Sequence, residues 1–332
     1  MDLPAFVQIE PVGQCNLRCQ MCAIQFRTDG PPYGPPAFMP FERFTSLVDQ
    51  FAGMRELHLQ GLGEPMMHPR YFDMVAYAAA KGITVSTNSN LTLLNARRAE
   101  RCVTSGLARL HVSIDGATPQ TYARIRVRSR LDRVLNNLAL LLDARRRLGS
   151  TWPRLEMVSV IMRQNLHELP DLVRLAHRWS FTALFVQHLA HDFGEASLPE
   201  RYQPMHEFVE AQTLLKEDPG RIARYFGEAR AVAQELGVTL RLPRTQLRPH
   251  PPGTPGRQRC SWPWKSAYLS YQGYAMPCCM VSTPDRLNFG NMAERGAEAV
   301  WDSAAFAAFR EQLDSDEPPA ICRSCAVYNG IF

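Results

Sequence analysis

Six short strand-like runs, each followed by a stretch of helical periodicity, order the first two thirds of the chain. The runs are Phe6–Pro11, Glu56–Gly61, Thr84–Ser89, Arg109–Asp115, Leu155–Met162 and Ala183–His188. Helical patterns occupy Pro40–Ala52, Pro69–Ala80, Leu94–Ser105, Pro119–Arg126, Arg130–Leu148 and Asn165–His177. Parallel strands need a crossover between them, and a helix is the usual one, so this alternation predicts βαβ units. Six repeats are too few to close an eight-stranded barrel. The expected fold is α/β, a partial (β/α)6 TIM-type barrel with a lateral opening able to admit a substrate of some size.

Three cysteines spaced CxxxCxxC (Cys15, Cys19 and Cys22) fill the loop after the first run. In β/α barrels the C-terminal strand ends carry the active site. Structural zinc takes four closed ligands, and no histidine lies nearby to complete them. A cubane iron–sulfur cluster is normally held by four cysteines, so three leave one iron open to a substrate or cofactor. A zinc knuckle or a disulfide loop is the alternative that spacing alone leaves.

With apolar Met21 before its last cysteine, this loop resembles the CxxxCxΦC signature of the radical S-adenosylmethionine (SAM) superfamily. The resemblance implies that SAM chelates the open iron of a 4Fe-4S cluster, with Met21 against its adenine. Reduction then cleaves SAM to a deoxyadenosyl radical that takes a hydrogen atom from substrate. Gly61-Leu62-Gly63-Glu64-Pro65 is similar to the family's GGEP-like motif, with Gly63, Glu64 and Pro65 as its core and Leu62 interrupting the usual glycine pair. There the glutamate would meet the methionine ammonium, and glycine would let the backbone come close. Thr87-Asn88 resembles the ribose-facing pair. Ser113-Ile114-Asp115-Gly116, Thr121-Tyr122 and Arg124–Arg126 resemble the SxDG…TY…R block. That match implies Ser113 on the ribose and Arg126 on the SAM carboxylate, with Asp115 in the pocket or capping the next helix.

Beyond the barrel (residues 1–203), 204–259 reads as a helical insertion. It has two helices over Pro204–Leu236, a short strand over Val238–Pro243 and a proline-rich linker over Arg244–Arg259. Residues 260–332 hold five of the nine cysteines and read as a separate, small α+β domain. A β-hairpin is expected over Ser266–Pro277, a helix over Ala297–Leu313, then the CxxC of Cys322 and Cys325. This order resembles the twitch domain, the short form of the SPASM domain. It implies one auxiliary 4Fe-4S cluster held by Cys260, Cys278, Cys322 and Cys325. Taken alone the four thiolates suit zinc equally; beside such a barrel, iron–sulfur is favoured. Cys102 reads as a buried apolar residue. Cys279 is a spare beside a ligand, a replacement for Cys278, or a thiol returning hydrogen to a substrate radical.

Net charge is +5, with 34 arginines and three lysines, modest enough for the length that nucleic-acid binding is not expected. No apolar run approaches the ~20 residues of a membrane span. The first residues show no secretory signal, and the cysteines favour metal use over disulfides, so a reducing cytoplasm is expected. After the sixth run, Gln187, His188 and His191 are expected at the strand end facing substrate. His188 could shuttle a proton, though a histidine there is often a satisfied core residue.

The resemblance extends to aminoglycoside-pathway dehydrogenases. It implies dehydrogenation of a polar small molecule, a cyclitol or sugar-like alcohol in natural-product biosynthesis. The auxiliary cluster would take the second electron, and a flavodoxin or ferredoxin would supply the reductant. Peptide oxidation or crosslinking is an alternative, disfavoured by the barrel's starting at Phe6 with no room for a leading recognition element. Redox-neutral epimerisation through Cys279 is another, and a non-enzymatic cluster scaffold the contrasting class.

Overall fold

A computed structural model describes residues 1–30, 34–189, 193–248 and 250–332. The six expected strands are β1 (Phe6–Ile9), β2 (Glu56–Leu59), β3 (Thr84–Ser89), β4 (Leu107–Ser113), β5 (Arg154–Val160) and β6 (Ala183–Gln187). Their crossovers carry α1 (Phe41–Gln50), α2 (Tyr71–Ala80), α3 (Ala96–Thr104), the pair α4 (Pro119–Ile125) and α5 (Leu131–Arg147), and α6 (Leu169–Arg178). Asn95 starts α3 by accepting from the Arg98 amide, and Thr118 starts α4 by accepting from Thr121, with Pro119 at the first helical position.

β1 to β6 pair in sequence order, all parallel. Alternate side chains divide the work. Leu57, Leu59, Leu110, Val112, Leu155, Met157 and Leu184 are buried and join one core with Phe44, Leu47, Val75, Leu138, Leu141 and Leu172 of the surrounding helices. The other face points into the lumen and is polar: His58, Asn88, His111, Ser113 and Gln187 line open space there. Barrel interiors are usually packed with branched aliphatic side chains. This one is a chamber.

The insertion contains α7 (Gln203–Gln212), α8 (Pro219–Leu236) and β7 (Thr239–Arg241). α8 stops at Gly237, whose φ of 68° suits a glycine cap. β7 pairs parallel with β6 and so becomes a seventh barrel strand. The proline-rich segment is tied down where a free linker was expected. The amides of Arg244 and Arg248 donate to the carbonyls of Ile331 and Asn329, at 3.2 and 3.0 Å.

The C-terminal hairpin forms as β8 (Ser266–Leu269) and β9 (Ala275–Met276), but it is not a sheet of its own. β8 pairs parallel with β1, extending one nine-stranded sheet in the order β7-β6-β5-β4-β3-β2-β1-β8-β9. The sheet keeps two ends, β7 and β9, so the barrel is unclosed. The helix expected over Ala297–Leu313 is two, Ala297–Trp301 and Ala304–Asp314. Ser303 separates them with an extended backbone, and its side chain accepts from the Phe306 amide. No helix among the described residues is long and apolar enough to cross a membrane.

Candidate functional site

Cys15, Cys19 and Cys22 line a chamber of about 600 Å³ at the C-terminal ends of the strands. Their loop is held from three sides. Arg18 and Gln20 donate backbone bonds to the Val127 and Ile125 carbonyls, at 3.1 and 3.0 Å, and the Glu64 amide donates to Gln14 at 2.9 Å. A Cβ on Gly63 would overlap the carbonyl oxygens of Val12 and Gln14. The glycine is therefore demanded by loop-to-loop packing beneath the cysteines, whereas close approach of a ligand was the expected reason. Glu10 and Arg27 close the loop's base as a fully buried ion pair, 2.6 Å apart. Glu10 also accepts from the Leu62 and Tyr271 amides, at 3.1 and 3.4 Å.

The residues expected to meet SAM are largely gathered here, in altered roles. Met21, Gly63, Glu64, Asn88, Ser113 and Arg126 line the chamber. Pro65 instead opens a buried turn, Pro65–Met67. Both Glu64 oxygens are engaged, accepting from Ser89 Oγ at 2.7 Å and the amides of Asn90 and Met66 at 2.8 and 3.1 Å. Its carboxylate organises the loops after β2 and β3 as well as facing the chamber. Asp115 lies out of the pocket and caps nothing. It is fully buried and accepts hydrogen bonds from Arg126 Nε and from the Val160 amide, the latter at 2.7 Å. Arg126 thus enters the chamber already paired, beside Cys19, where its charge opposes the upward push of burial on that thiol. Thr87 is buried and donates to the Leu59 carbonyl at 2.9 Å. Asn90, which sequence reasoning missed, takes the loop position instead: its Nδ2 lies 3.7 Å from Cys15 Sγ and 3.1 Å from Asn16 Oδ1.

Cys260, Cys278, Cys322 and Cys325 line a single apolar pocket with Pro263, Val281, Phe309 and Ile321. Cys279, the next residue, turns the other way and lines the chamber. Trp262, Met280 and Val327 belong to both walls, so the two voids share a partition one side chain thick. All nine cysteines are free thiols. Among the described residues no group of three or more His, Cys, Asp or Glu side chains is drawn together closely enough to hold a single metal ion. Soft thiolates spread around a void suit a multi-iron cluster. Burial pushes Cys22 up to about 12, Cys260 to about 11, and Cys15, Cys278 and Cys322 well up. Loading iron must therefore release protons.

At the end of β6, Gln187 faces the chamber, but His188 does not. Successive strand residues point to opposite faces, and His188 is buried with Nε2 hydrogen-bonded to the Arg244 carbonyl. Burial lowers its pKa further. The proton-shuttle role expected of it has no geometric support. His191 lies outside the described residues. Two histidines unsuspected from the sequence, His58 and His111, do face the lumen, in a second void of about 280 Å³ that shares His58, Asn88, Gln187 and Arg241 with the chamber.

A partial parallel barrel with a three-cysteine loop at its mouth defines a SAM-cleaving iron–sulfur enzyme. Residues 9–176 match the model of the radical SAM superfamily, and residues 260–326 match the SPASM iron–sulfur cluster-binding domain. The chain belongs to the radical SAM superfamily, with SAM and a 4Fe-4S cluster as its cofactors and auxiliary iron–sulfur binding in its C-terminal domain. It is similar to a PqqA peptide cyclase of Rhizobium meliloti, 26% identical over 333 residues, covering 97% of this chain and 79% of that one. The Streptococcus suis protein SuiB bound to SAM superposes with a TM-score of 0.71 at 13% identity, covering 99% and 72% of the two chains. BtrN, in complex with SAM and 2-DOIA, superposes at 0.53 with 14% identity, covering 98% and 94%. The α/β, unclosed-barrel expectation and the SPASM-type C-terminal domain are thereby established.

Proposed function

We propose that the enzyme dehydrogenates a polar small molecule, a cyclitol or sugar-like secondary alcohol, and passes the second electron to its C-terminal cluster. The observation that carries this reading is the shared partition. Trp262, Met280 and Val327 face the substrate chamber on one side and the four-cysteine pocket on the other. An electron leaving a substrate radical would have one side chain's thickness to cross. When bound, SAM and its cluster supply a deoxyadenosyl radical. The polar lumen, with His58, Gln60, Asn88 and Gln187, offers hydrogen bonds to a hydroxylated ring rather than an apolar slot. Met21, Gly63, Glu64, Asn88, Ser113 and Arg126 are the residues we assign to SAM, Cys15, Cys19 and Cys22 to its cluster, and Cys260, Cys278, Cys322 and Cys325 to the auxiliary one. A flavodoxin or ferredoxin fits as reductant.

Peptide modification is the second reading, favoured by the peptide cyclase among the relatives and by the lateral opening between β7 and β9. The test is anaerobic turnover of the reconstituted enzyme with SAM and dithionite against a panel of inositols, aminocyclitols and short peptides. A ketone formed in step with deoxyadenosine, at a ratio that collapses in Cys322→Ala, supports dehydrogenation. A peptide crosslink with no ketone overturns it.

A further inference from the structure

One buried charge in the C-terminal domain is bonded to no group of opposite sign among the described residues. Arg310, on the helix Ala304–Asp314, is only 7% exposed. Its Nε donates to the Pro263 carbonyl at 2.7 Å and its Nη1 to the Trp301 carbonyl at 2.8 Å. Nη2 is buried and has no hydrogen-bond partner among the described residues. The guanidinium lies over the rings of Phe306 and Trp301, 3.9 and 4.3 Å from their centroids. Carbonyl dipoles and ring faces stabilise a cation in part, but they carry no net charge. Burial lowers the Arg310 pKa to about 10, which still leaves it a cation at neutral pH. The carboxylate that acts on it, Asp302, is half exposed and bonded to the Met1 ammonium at 2.9 Å. An unpaired buried charge is strongly destabilising, so a counter-charge is to be sought close by.

The four-cysteine pocket adjoins it. Pro263, whose carbonyl accepts the Arg310 bond, lines that pocket, as do Phe309 and Leu313 of the same helix. Among the described residues no Asp, Glu, Lys or Arg side chain lines the pocket itself. A second arginine flanks it. Arg259, next to Cys260, lies 5.4 Å from the ring centroid of Tyr328, a pocket residue, and donates to its hydroxyl at 3.2 Å. Of the carboxylates in this region, Asp314 accepts from the Arg257 amide at 2.7 Å, and Asp316 and Glu317 are exposed. The pocket is suited to an anion: four thiolates around a cubane core of two positive charges make a dianion, which one electron turns into a trianion. Such an anion supplies the opposite sign that Arg310 otherwise lacks. Its charge grows on reduction, so a fixed cation beside it favours the reduced form.

We propose that Arg310 is the buried counter-charge of the auxiliary cluster and makes that cluster a better electron acceptor. The inference rests on the dehydrogenase reading for its part in turnover. There the radical left on the carbinol carbon after hydrogen abstraction loses its O–H proton to solvent and its unpaired electron to the cluster. The alcohol becomes a ketone, and the cluster is reduced by one electron. Arg310 does not line the substrate chamber, so its role is electrostatic. A unit charge about 10 Å from a redox centre, at an effective dielectric of about 20, shifts a one-electron equilibrium by about tenfold or somewhat more.

The test is a potentiometric titration of the reconstituted holoenzyme followed by EPR, with a Cys15/Cys19/Cys22→Ala variant identifying the auxiliary signal. Arg310→Met keeps the apolar stem and removes the charge. Reduction of the auxiliary cluster should become about tenfold less favourable, a fall of about 59 mV for one electron. Arg310→Lys keeps the charge and should show less than half of that fall, whereas a merely structural role would treat the two variants alike. An unchanged potential in Arg310→Met, or an equal fall in Arg310→Lys, overturns the proposal. Arg310→Gln, which keeps a donor for the Pro263 carbonyl, is the second neutral variant should Arg310→Met fail to load iron. Loss of the auxiliary iron in both neutral variants but not in Arg310→Lys supports the counter-charge, and loss in all three overturns it. The titration needs no substrate, so its result is independent of the dehydrogenase reading. A lowered potential with an unchanged ketone-to-deoxyadenosine ratio on an inositol panel leaves the counter-charge standing and counts against that reading alone.

Discussion

Replacing Arg27 by Met tests how the cysteine loop is held. Arg27 and Glu10 have no exposed side-chain surface, and their 2.6 Å bond closes the loop that carries Cys15, Cys19 and Cys22. Arg27 also grips Asp29 through Nε at 2.5 Å and Nη2 at 2.9 Å. Removing one member of a buried pair typically costs about 3–5 kcal/mol, because the other charge is stranded. Arg27→Met leaves the Glu10 charge with only the Leu62 and Tyr271 amides and leaves Asp29 without its Arg27 partner, so a loss of about 3–5 kcal/mol is expected. Glu10→Gln leaves Arg27 with Asp29 and should cost about 3 kcal/mol. These are large against total stabilities of about 5–15 kcal/mol. The assay is anaerobic urea unfolding of both variants, with hydrogen exchange at Leu62 and Tyr271, whose amides donate to Glu10. Exchange there should accelerate before global unfolding. A cost below about 1 kcal/mol for Arg27→Met, in the range of exposed pairs, would refute the reasoning.

Cys278→Ala should lose about four irons per chain on reconstitution and Cys279→Ala none, read by iron and sulfide analysis, since only Cys278 faces the four-cysteine pocket. Gly63→Ala should destabilise the protein by about 1–3 kcal/mol and weaken SAM binding in equilibrium dialysis, because its methyl group displaces the Val12 carbonyl. At Glu168, burial raises the carboxyl, but donors from Thr118, Thr121 and Ala117 outweigh it and leave it below its usual range. Its folded pKa lies below the unfolded value of about 4.3, so its contribution is complete above that pH and is lost as pH falls through the folded pKa. The stability gap between wild type and Glu168→Gln, about 1–3 kcal/mol at neutral pH in urea titrations, should close below about pH 4.

The strands of the barrel were legible because each is a short β-prone run followed by a stretch of helical periodicity. The cysteine loop was legible because spacing is written in the sequence. Other features depend on partners far along the chain. Nothing local to Ser266–Leu269 says that this hairpin pairs with β1, and nothing local to Val238–Pro243 says that it joins β6. Cys278 and Cys279 are adjacent, so only the backbone path decides which faces the cluster pocket. The polar lumen left a signal that could have been read: Glu56-Leu57-His58-Leu59-Gln60 and Arg109-Leu110-His111-Val112-Ser113 alternate strictly, which continuous burial on both faces would not produce. The same parity would have turned His188 away once Gln187 was placed inward.

The pairing of β1 with β8 sets an order of assembly. One edge of β1 is covered by a hairpin that lies far downstream in the chain, Phe6 pairing with Ser266, so β1 is synthesised long before its cover. Until then a nascent barrel carries an open, apolar strand edge, the template on which chains join one another. The same long wait raises the mean sequence separation of native contacts, which slows folding. Chains stopped before Ser266 should therefore aggregate rather than accumulate as free barrels, and cluster insertion at Cys15, Cys19 and Cys22 would act on a loop whose Glu10 anchor is complete only when Tyr271 has arrived.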